Sequence, residues 1–263
     1  MEEPLVFRDP DGHRVSAVLA APSPSTDRAV VLCHGFLSNK NSTTNRTLTA
    51  ELLPKGIATF RFDFFGQGES EGPFEQTTVS RAVGQALTAL DLVASRGYKR
   101  IGLVGSSFGG LVAILAAGRW TGRGASLACL GLKCPVPDFE EMLRLEFGPE
   151  GLVEWKKTGT IPDVTGGPGR VKLHYGFYED CARHRGYEAA PGVKVPTLIV
   201  QGEKDEYASV VDQSRRLFEA LPGPKELHVL PGADHGFSKP EDFRTMVTLL
   251  VGWMIRYLQA DDR

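Results

Sequence analysis

Gly105-Ser106-Ser107-Phe108-Gly109 lies between two apolar runs, Arg100-Ile101-Gly102-Leu103-Val104 before it and Leu111-Val112-Ala113-Ile114-Leu115-Ala116-Ala117 after it. That succession predicts a strand, a tight turn and a helix. Ser107 has glycines two residues before and two after, whereas Ser106 would need a glycine where Val104 stands. The G-x-S-x-G register therefore falls on Ser107. A serine at such a turn is held in a strained backbone conformation with its hydroxyl exposed above the sheet. Side chains at the two flanking glycines would collide with the neighbouring strand and helix. The Phe108 N–H opens the helix, where the helix dipole favours developing negative charge.

Outward from this junction, short β-type runs alternate with longer helical patterns, which argues for a mostly parallel sheet covered by helices. Leu5-Val6-Phe7-Arg8 and Val15-Ser16-Ala17-Val18-Leu19 flank the turn signal Asp9-Pro10-Asp11-Gly12, an antiparallel hairpin. Residues 29–33 read as a buried strand ending at His34-Gly35-Phe36, and residues 57–63 as the next strand. Between them a helix is expected over about 44–53, stopping near Pro54-Lys55-Gly56. A Gly-rich loop follows over 64–73, then a helix over 79–95 that Gly97 closes. Residues 126–132 read as a strand, and there the alternation breaks. From Pro135 to about Pro191 the chain holds several prolines and glycines, among them Gly166-Gly167-Pro168-Gly169, and helical patches near 139–147 and 176–184. A segment of that size between two strands predicts an inserted cap, residues 135–191, within a single domain of residues 1–263. Alternation resumes at Val195-Pro196-Thr197-Leu198-Ile199-Val200, with a helix over 210–220, a strand over 226–230 and a last helix over 240–258.

Composition narrows the function classes. Of 263 residues, 41% are hydrophobic and 24% charged, as in ordinary globular proteins. Thirty basic and 32 acidic residues give a net charge of -2, so no basic imbalance points to nucleic acid. No apolar run reaches the roughly 18 residues of a membrane span. The opening MEEPLVFRDPDGHRV has no cationic stretch followed by an apolar one, so no signal peptide is expected. Cys33, Cys129, Cys134 and Cys181 form no C-x-x-C pair or zinc-like cluster, which suggests a reduced, cytoplasmic protein and no metal.

A serine hydroxyl is a poor nucleophile near neutral pH; it needs a base, and the base needs an orienting anion. Reactive groups gather at the carboxyl ends of strands in open α/β sheets. Of six histidines, His13 and His34 precede the serine, His174 and His184 fall in the cap segment, and His228 lies inside a strand. His235, in Pro231-Gly232-Ala233-Asp234-His235-Gly236-Phe237, follows the last strand and has flexible neighbours. The preceding strand ends in Gln201-Gly202-Glu203-Lys204-Asp205-Glu206, where three carboxylates compete. Asp205 stands in a G-x-x-D pattern after the strand and is favoured; Glu203 and Glu206 read as surface charges. Asp234 reads as loop-stabilising, because adjacent side chains diverge. His34 reads as structural, hydrogen-bonded within its loop.

In chain order, His34-Gly35-Phe36, Asp63-Phe64-Phe65-Gly66-Gln67-Gly68-Glu69-Ser70, the pentapeptide around Ser107, Gly202-Glu203-Lys204-Asp205 and Asp234-His235-Gly236 resemble the α/β-hydrolases over nearly the whole chain. The resemblance implies an α/β fold with a mostly parallel central sheet flanked by helices. It implies a triad in the order nucleophile, acid, histidine, here Ser107, Asp205 and His235. It also implies an oxyanion hole from the backbone N–H groups of Phe36 and Phe108, and no cofactor. Loss of one such donor typically costs about 2.7–4 kcal/mol of transition-state stabilisation. Arg61-Phe62-Asp63-Phe64 and the short cap resemble the small cinnamoyl/feruloyl-type carboxylesterases. The elbow, with Ser106 and Phe108, departs from those esterases and from monoacylglycerol lipases, which commonly carry histidine before the serine. The acyl group therefore stays open.

The expected activity is hydrolysis of a small-molecule carboxylic ester through an acyl-enzyme. Thioester or amide hydrolysis, or acyl transfer, would use the same residues. An inactive binding protein on this scaffold would show lost triad members, yet all three candidates are present. Gly66-x-Gly68 is not a dinucleotide loop, since Glu71 replaces the third glycine, and no G-K-[ST] follows Gly105 as a phosphate loop requires. The cap aromatics Phe139, Phe147, Trp155, Tyr175, Phe177, Tyr178 and Tyr187 either line an acyl pocket or, the commoner use, anchor the cap. Oligomeric state is not legible.

Overall fold

Successive residues of a strand point to opposite faces of a sheet, and strand β3 (Arg28–Cys33) shows what each face meets. Ala29, Val31 and Cys33 pack into one buried cluster with helices α2 (Val79–Ser95) and α3 (Phe108–Ala117). Val30 and Leu32 pack into a second with α1 (Thr43–Leu52) and α8 (Pro240–Leu258). A strand buried on both faces reads as a continuous apolar run, as Ala29 to Cys33 does. The computed structural model describes residues 2–23, 25–162, 169–207 and 210–260.

The sheet also contains β1 (Glu2–Arg8), β2 (Arg14–Ala20), β4 (Ala58–Phe62), β5 (Arg100–Ser106) and β6 (Ser126–Lys133). After a two-stranded ribbon of β7 (Thr160–Pro162) and β8 (Arg170–Lys172), β9 (Thr197–Gly202) and β10 (Lys225–Leu230) complete it. The order across its eight strands is β1-β2-β4-β3-β5-β6-β9-β10. β2 pairs antiparallel with β1 and β4; every other pairing in this sheet is parallel. Parallel strands share one carboxyl edge, so the chain leaving β3, β5, β9 and β10 brings Phe36, Ser107, Asp205 and His235 to the same side.

The expected hairpin, strands and main helices are present, with small shifts at their ends. Between β6 and β9 lie α4 (Phe139–Thr158), the ribbon, α5 (Gly176–Cys181) and α6 (Gly186–Ala189). The helical patch expected over 139–147 runs on as α4, because Gly148 turns the chain at φ 63 and ψ 178 and Pro149 restarts the helix. The ribbon and α6 were not legible as elements. Of the Gly166-Gly167-Pro168-Gly169 run, residues 166–168 lie outside the described residues. Among the described residues, no helix is long and apolar enough to cross a membrane. All four cysteines are free and buried.

Candidate active site

Ser107 sits between β5 and α3 with φ 53 and ψ −115, a backbone conformation that a side chain rarely adopts. Its N–H donates to the Lys133 carbonyl at 2.9 Å, and its own carbonyl accepts from the Gly110 N–H at 2.8 Å. The glycines on either side are required by contact. A Cβ on Gly105 would lie 2.2 Å from the Gly109 carbonyl oxygen, and one on Gly109 would lie 2.4 Å from the carbonyl oxygens of Cys33 and His34. Phe108 begins α3, so its N–H has no intrahelical acceptor. Among the described residues, the Phe36 N–H also has no protein acceptor.

His235 and Asp205 meet across the ends of β10 and β9. The His235 Nδ1–Asp205 Oδ2 distance is 2.7 Å, with the carboxylate fully buried and the imidazole largely so. Asp205 Oδ2 also accepts from Gln201 Nε2 at 2.8 Å, and Oδ1 from the Tyr207 N–H at 3.2 Å. Gln201 is fixed in turn by the Ser214 hydroxyl, which donates to its Oε1 at 2.6 Å. Buried carboxylate oxygens need such donors in place of water. With Asp205 accepting at Nδ1, the other ring nitrogen, Nε2, is left to exchange a proton. Tyr207 packs edge-on against the imidazole, with ring centroids 4.6 Å apart.

Ser107, His235 and Gly35-Phe36 line one cavity of about 350 Å³. Phe36, Val136, Phe139, Met142 and Tyr207 form its apolar wall, and Ser38, Ser42 and Thr44 a polar one. Ser106 lines it too, its hydroxyl oxygen buried and without a hydrogen-bond partner. The Cys134 sulfur lies within 4.8 Å of the ligand atoms of Asp205 and His235, a spacing that a metal site also shows. Burial pushes the Cys134 thiol up to about 12. In that state the thiol is protonated near neutral pH and can act as a weak hydrogen-bond donor.

The remaining sequence candidates take supporting places. His34 accepts the Phe64 N–H at Nε2, 3.0 Å away, so its Nδ1 carries the proton and donates to the Gly35 carbonyl at 2.8 Å. Full burial pushes its pKa down to about 4, which keeps the ring neutral. Asp234 accepts the Ser238 N–H at 2.8 Å, and its hydrogen bonds with Ser238 hold its carboxyl below the usual range. The glycine-rich turn after β4 is structural. Asp63 accepts from the Lys40 ammonium at 2.6 Å and from the Glu69 N–H at 2.8 Å, and Gln67 Oε1 accepts the Ser38 N–H at 3.2 Å. His228 pairs with Glu226 at 3.0 Å, away from this cavity.

Glu203 and Glu206 are exposed, as their reading as surface charges has it, and each also makes a contact that the sequence did not show. Glu206 is exposed but lines the cavity, and its carboxylate accepts the His235 N–H at 3.1 Å. Glu203 accepts the Gly232 N–H at 2.8 Å and so anchors the loop that carries His235. Both contacts span 29 residues, beyond any local pattern. The sequence motifs also left out Gln201 and Lys133, which lie just past the strands read over 195–200 and 126–132 and here belong to β9 and the end of β6. Of the seven cap aromatics, only Phe139 lines the cavity. Phe177 packs with Phe36, Phe108 and Phe139 at centroid distances of 5.2–6.0 Å, and Trp155 packs against Phe147, Tyr175 and Tyr178. Anchoring is their main use.

A family model described as "Alpha/beta hydrolase family" matches residues 30–245. The mitochondrial palmitoyl-protein thioesterase ABHD10 of Bos taurus is 28% identical over 178 residues, 67% of this chain and 56% of that protein. The chain thus spans little more than half the length of that relative. Est1E of Butyrivibrio proteoclasticus, solved with ferulic acid bound, superposes with a TM-score of 0.82 at 22% identity, covering 97% of this chain and all of that one. Mouse alpha/beta hydrolase domain-containing protein 10 gives a TM-score of 0.79 at 21% identity, covering 97% and 99%. At these identities the two solved structures speak to the fold alone.

Proposed function

The chain belongs to the alpha/beta hydrolase family, and on that premise we propose that it is a serine hydrolase that cleaves small carboxylic esters through an acyl-enzyme. Ser107 Oγ attacks the acyl carbon while His235 Nε2 takes its proton. Asp205, hydrogen-bonded at Nδ1, orients the ring and stabilises the imidazolium. The N–H groups of Phe36 and Phe108 hold the oxyanion. The imidazolium then gives its proton to the departing alcohol, and a water deprotonated by His235 releases the acid and restores Ser107. The observation that carries this reading is the 2.7 Å His235–Asp205 pair on the same cavity as a backbone-strained serine. No step calls for a cofactor.

Residues 135–191 act as a cap that shapes the acyl site; Val136, Phe139 and Met142 in the cavity wall support this. The apolar wall suits a hydrophobic or aromatic acyl group. The thioesterase name of the bovine relative favours a second reading, thioester cleavage by the same residues. The four free, buried thiols support a reducing compartment, cytoplasmic as expected or mitochondrial as the relative's name has it.

The test is Ser107→Ala, assayed on a short-chain p-nitrophenyl ester and with a fluorophosphonate probe. Both turnover and labelling are expected to vanish while circular dichroism stays unchanged. Undiminished turnover in the variant would overturn the assignment. A matched panel of oxygen esters and thioesters then separates the two readings by kcat/KM.

A further inference from the structure

Lys133 is the last residue of β6, is buried, and lines the cavity that holds Ser107 and His235. It lies in register with Ser106 on β5 and with Val200 on β9, between the strand that leads to the serine and the strand that leads to the acid. Its main-chain carbonyl accepts the Ser107 N–H at 2.9 Å. Its ammonium donates to the His235 carbonyl at 2.7 Å and sits 5.3 Å from the centre of the Phe237 ring, two residues further along the same loop. On the other side of His235, Glu206 accepts the backbone N–H at 3.1 Å. Both polar backbone groups of His235 are therefore held by charged side chains. One of those side chains belongs to a residue that also holds the backbone of Ser107.

From this arrangement we propose that Lys133 is a positioning residue that fixes the separation between Ser107 and His235. The proposal rests on the triad reading given above. The loop that carries His235 has a glycine directly after the histidine and a strained residue, Phe237 at φ 55, one position further. The hydrogen bond at Nδ1 fixes the ring relative to Asp205, and Glu203 and Glu206 tie the loop to the chain that follows β9. The Lys133 ammonium adds a tie to β6, the strand beside the one that leads to Ser107. Charge-assisted hydrogen bonds are stronger than neutral ones, and the amide oxygen of His235 and the face of Phe237 offset part of the desolvation of the ammonium.

Misplacing a base by about 1 Å can cost on the order of 100-fold in rate without changing substrate affinity. Lys133→Met is accordingly expected to lower kcat on a neutral p-nitrophenyl ester by about ten- to 100-fold with KM within about two-fold of wild type. Fluorophosphonate labelling of Ser107 should slow in parallel. Lys133→Cys should behave alike, and aminoethylation of the new thiol with 2-bromoethylamine, which restores an ammonium of nearly lysine length, should return most of kcat. Position 133 lines the cavity, which gives the reagent a path to the new thiol, whereas the four native cysteines are buried and are not among the cavity's lining residues.

Unchanged kcat in Lys133→Met would overturn the proposal. So would a rise in KM confined to esters bearing a carboxylate, which would make Lys133 a substrate contact, and so would loss of folding in both variants, which would make it structural. The wild-type protein, run alongside, separates these failures from failure of the triad reading: if its Ser107 is not labelled, that reading falls whatever the variants do.

Discussion

A methyl group on Gly109 would lie 2.4 Å from two carbonyl oxygens, those of Cys33 and His34, and neither belongs to a side chain that can swing away. Gly109→Ala therefore has to push α3 off β3. Overpacking of this kind costs typically 1–3 kcal/mol, and here the backbone that must move carries Ser107, Phe108 and the Phe36 turn. The variant is expected to melt lower and to lose turnover out of proportion to its lost stability; a thermal scan beside an ester assay checks both. Single residues were legible in the sequence where chemistry constrains their immediate neighbours. The glycines around Ser107, the G-x-x-D placing of Asp205 and the loop placing of His235 are such cases. Glu206 and Lys133 were not, because what defines them is a contact with the backbone of residue 235, 29 and 102 positions away.

At the scale of elements, strands and long helices could be read because apolar periodicity repeats within each of them. Short pieces lack that repeat, so the β7–β8 ribbon and α6 left no pattern to read. How the segment between β6 and β9 docks was equally hidden. One of its polar ties joins α5 to the first turn of α2, where helix N–H groups lack intrahelical partners. Asp180 accepts from the Ser80 N–H at 2.8 Å and from the Ser80 hydroxyl at 2.7 Å, a link between residues 100 positions apart. Burial alone would raise the Asp180 carboxyl, but its bonds with Ser80 and Arg183 outweigh that and hold it below the usual range. Asp180→Ala leaves the Ser80 N–H without this partner, which should cost about 1–3 kcal/mol. Because α5 also carries Phe177 into the aromatic cluster around Phe36, the same variant should raise KM more than it lowers kcat. Chemical denaturation and steady-state kinetics on an aromatic ester would show whether the two effects travel together.

For the molecule as a whole, four stretches far apart in sequence converge only because parallel strands share an edge. Residues 36, 107, 205 and 235 each follow a different strand of one sheet, and the two buried layers hold that sheet rigid from both faces. Such rigidity can impose local cost, and Ser107 is where it does so. A backbone at φ 53 and ψ −115 is one that only glycine occupies freely, and holding another residue there costs of order 1–3 kcal/mol. Ser107→Gly should relieve most of that, less the roughly 0.5–1 kcal/mol by which glycine favours the unfolded chain. A net gain of about 1 kcal/mol would appear as a melting temperature about 2–4 °C higher in a chain of this size, with no esterase activity left. Directed evolution guided by heat resistance alone would therefore drift toward a sturdier and inert protein at this position, and only a screen that also demands turnover would keep the serine.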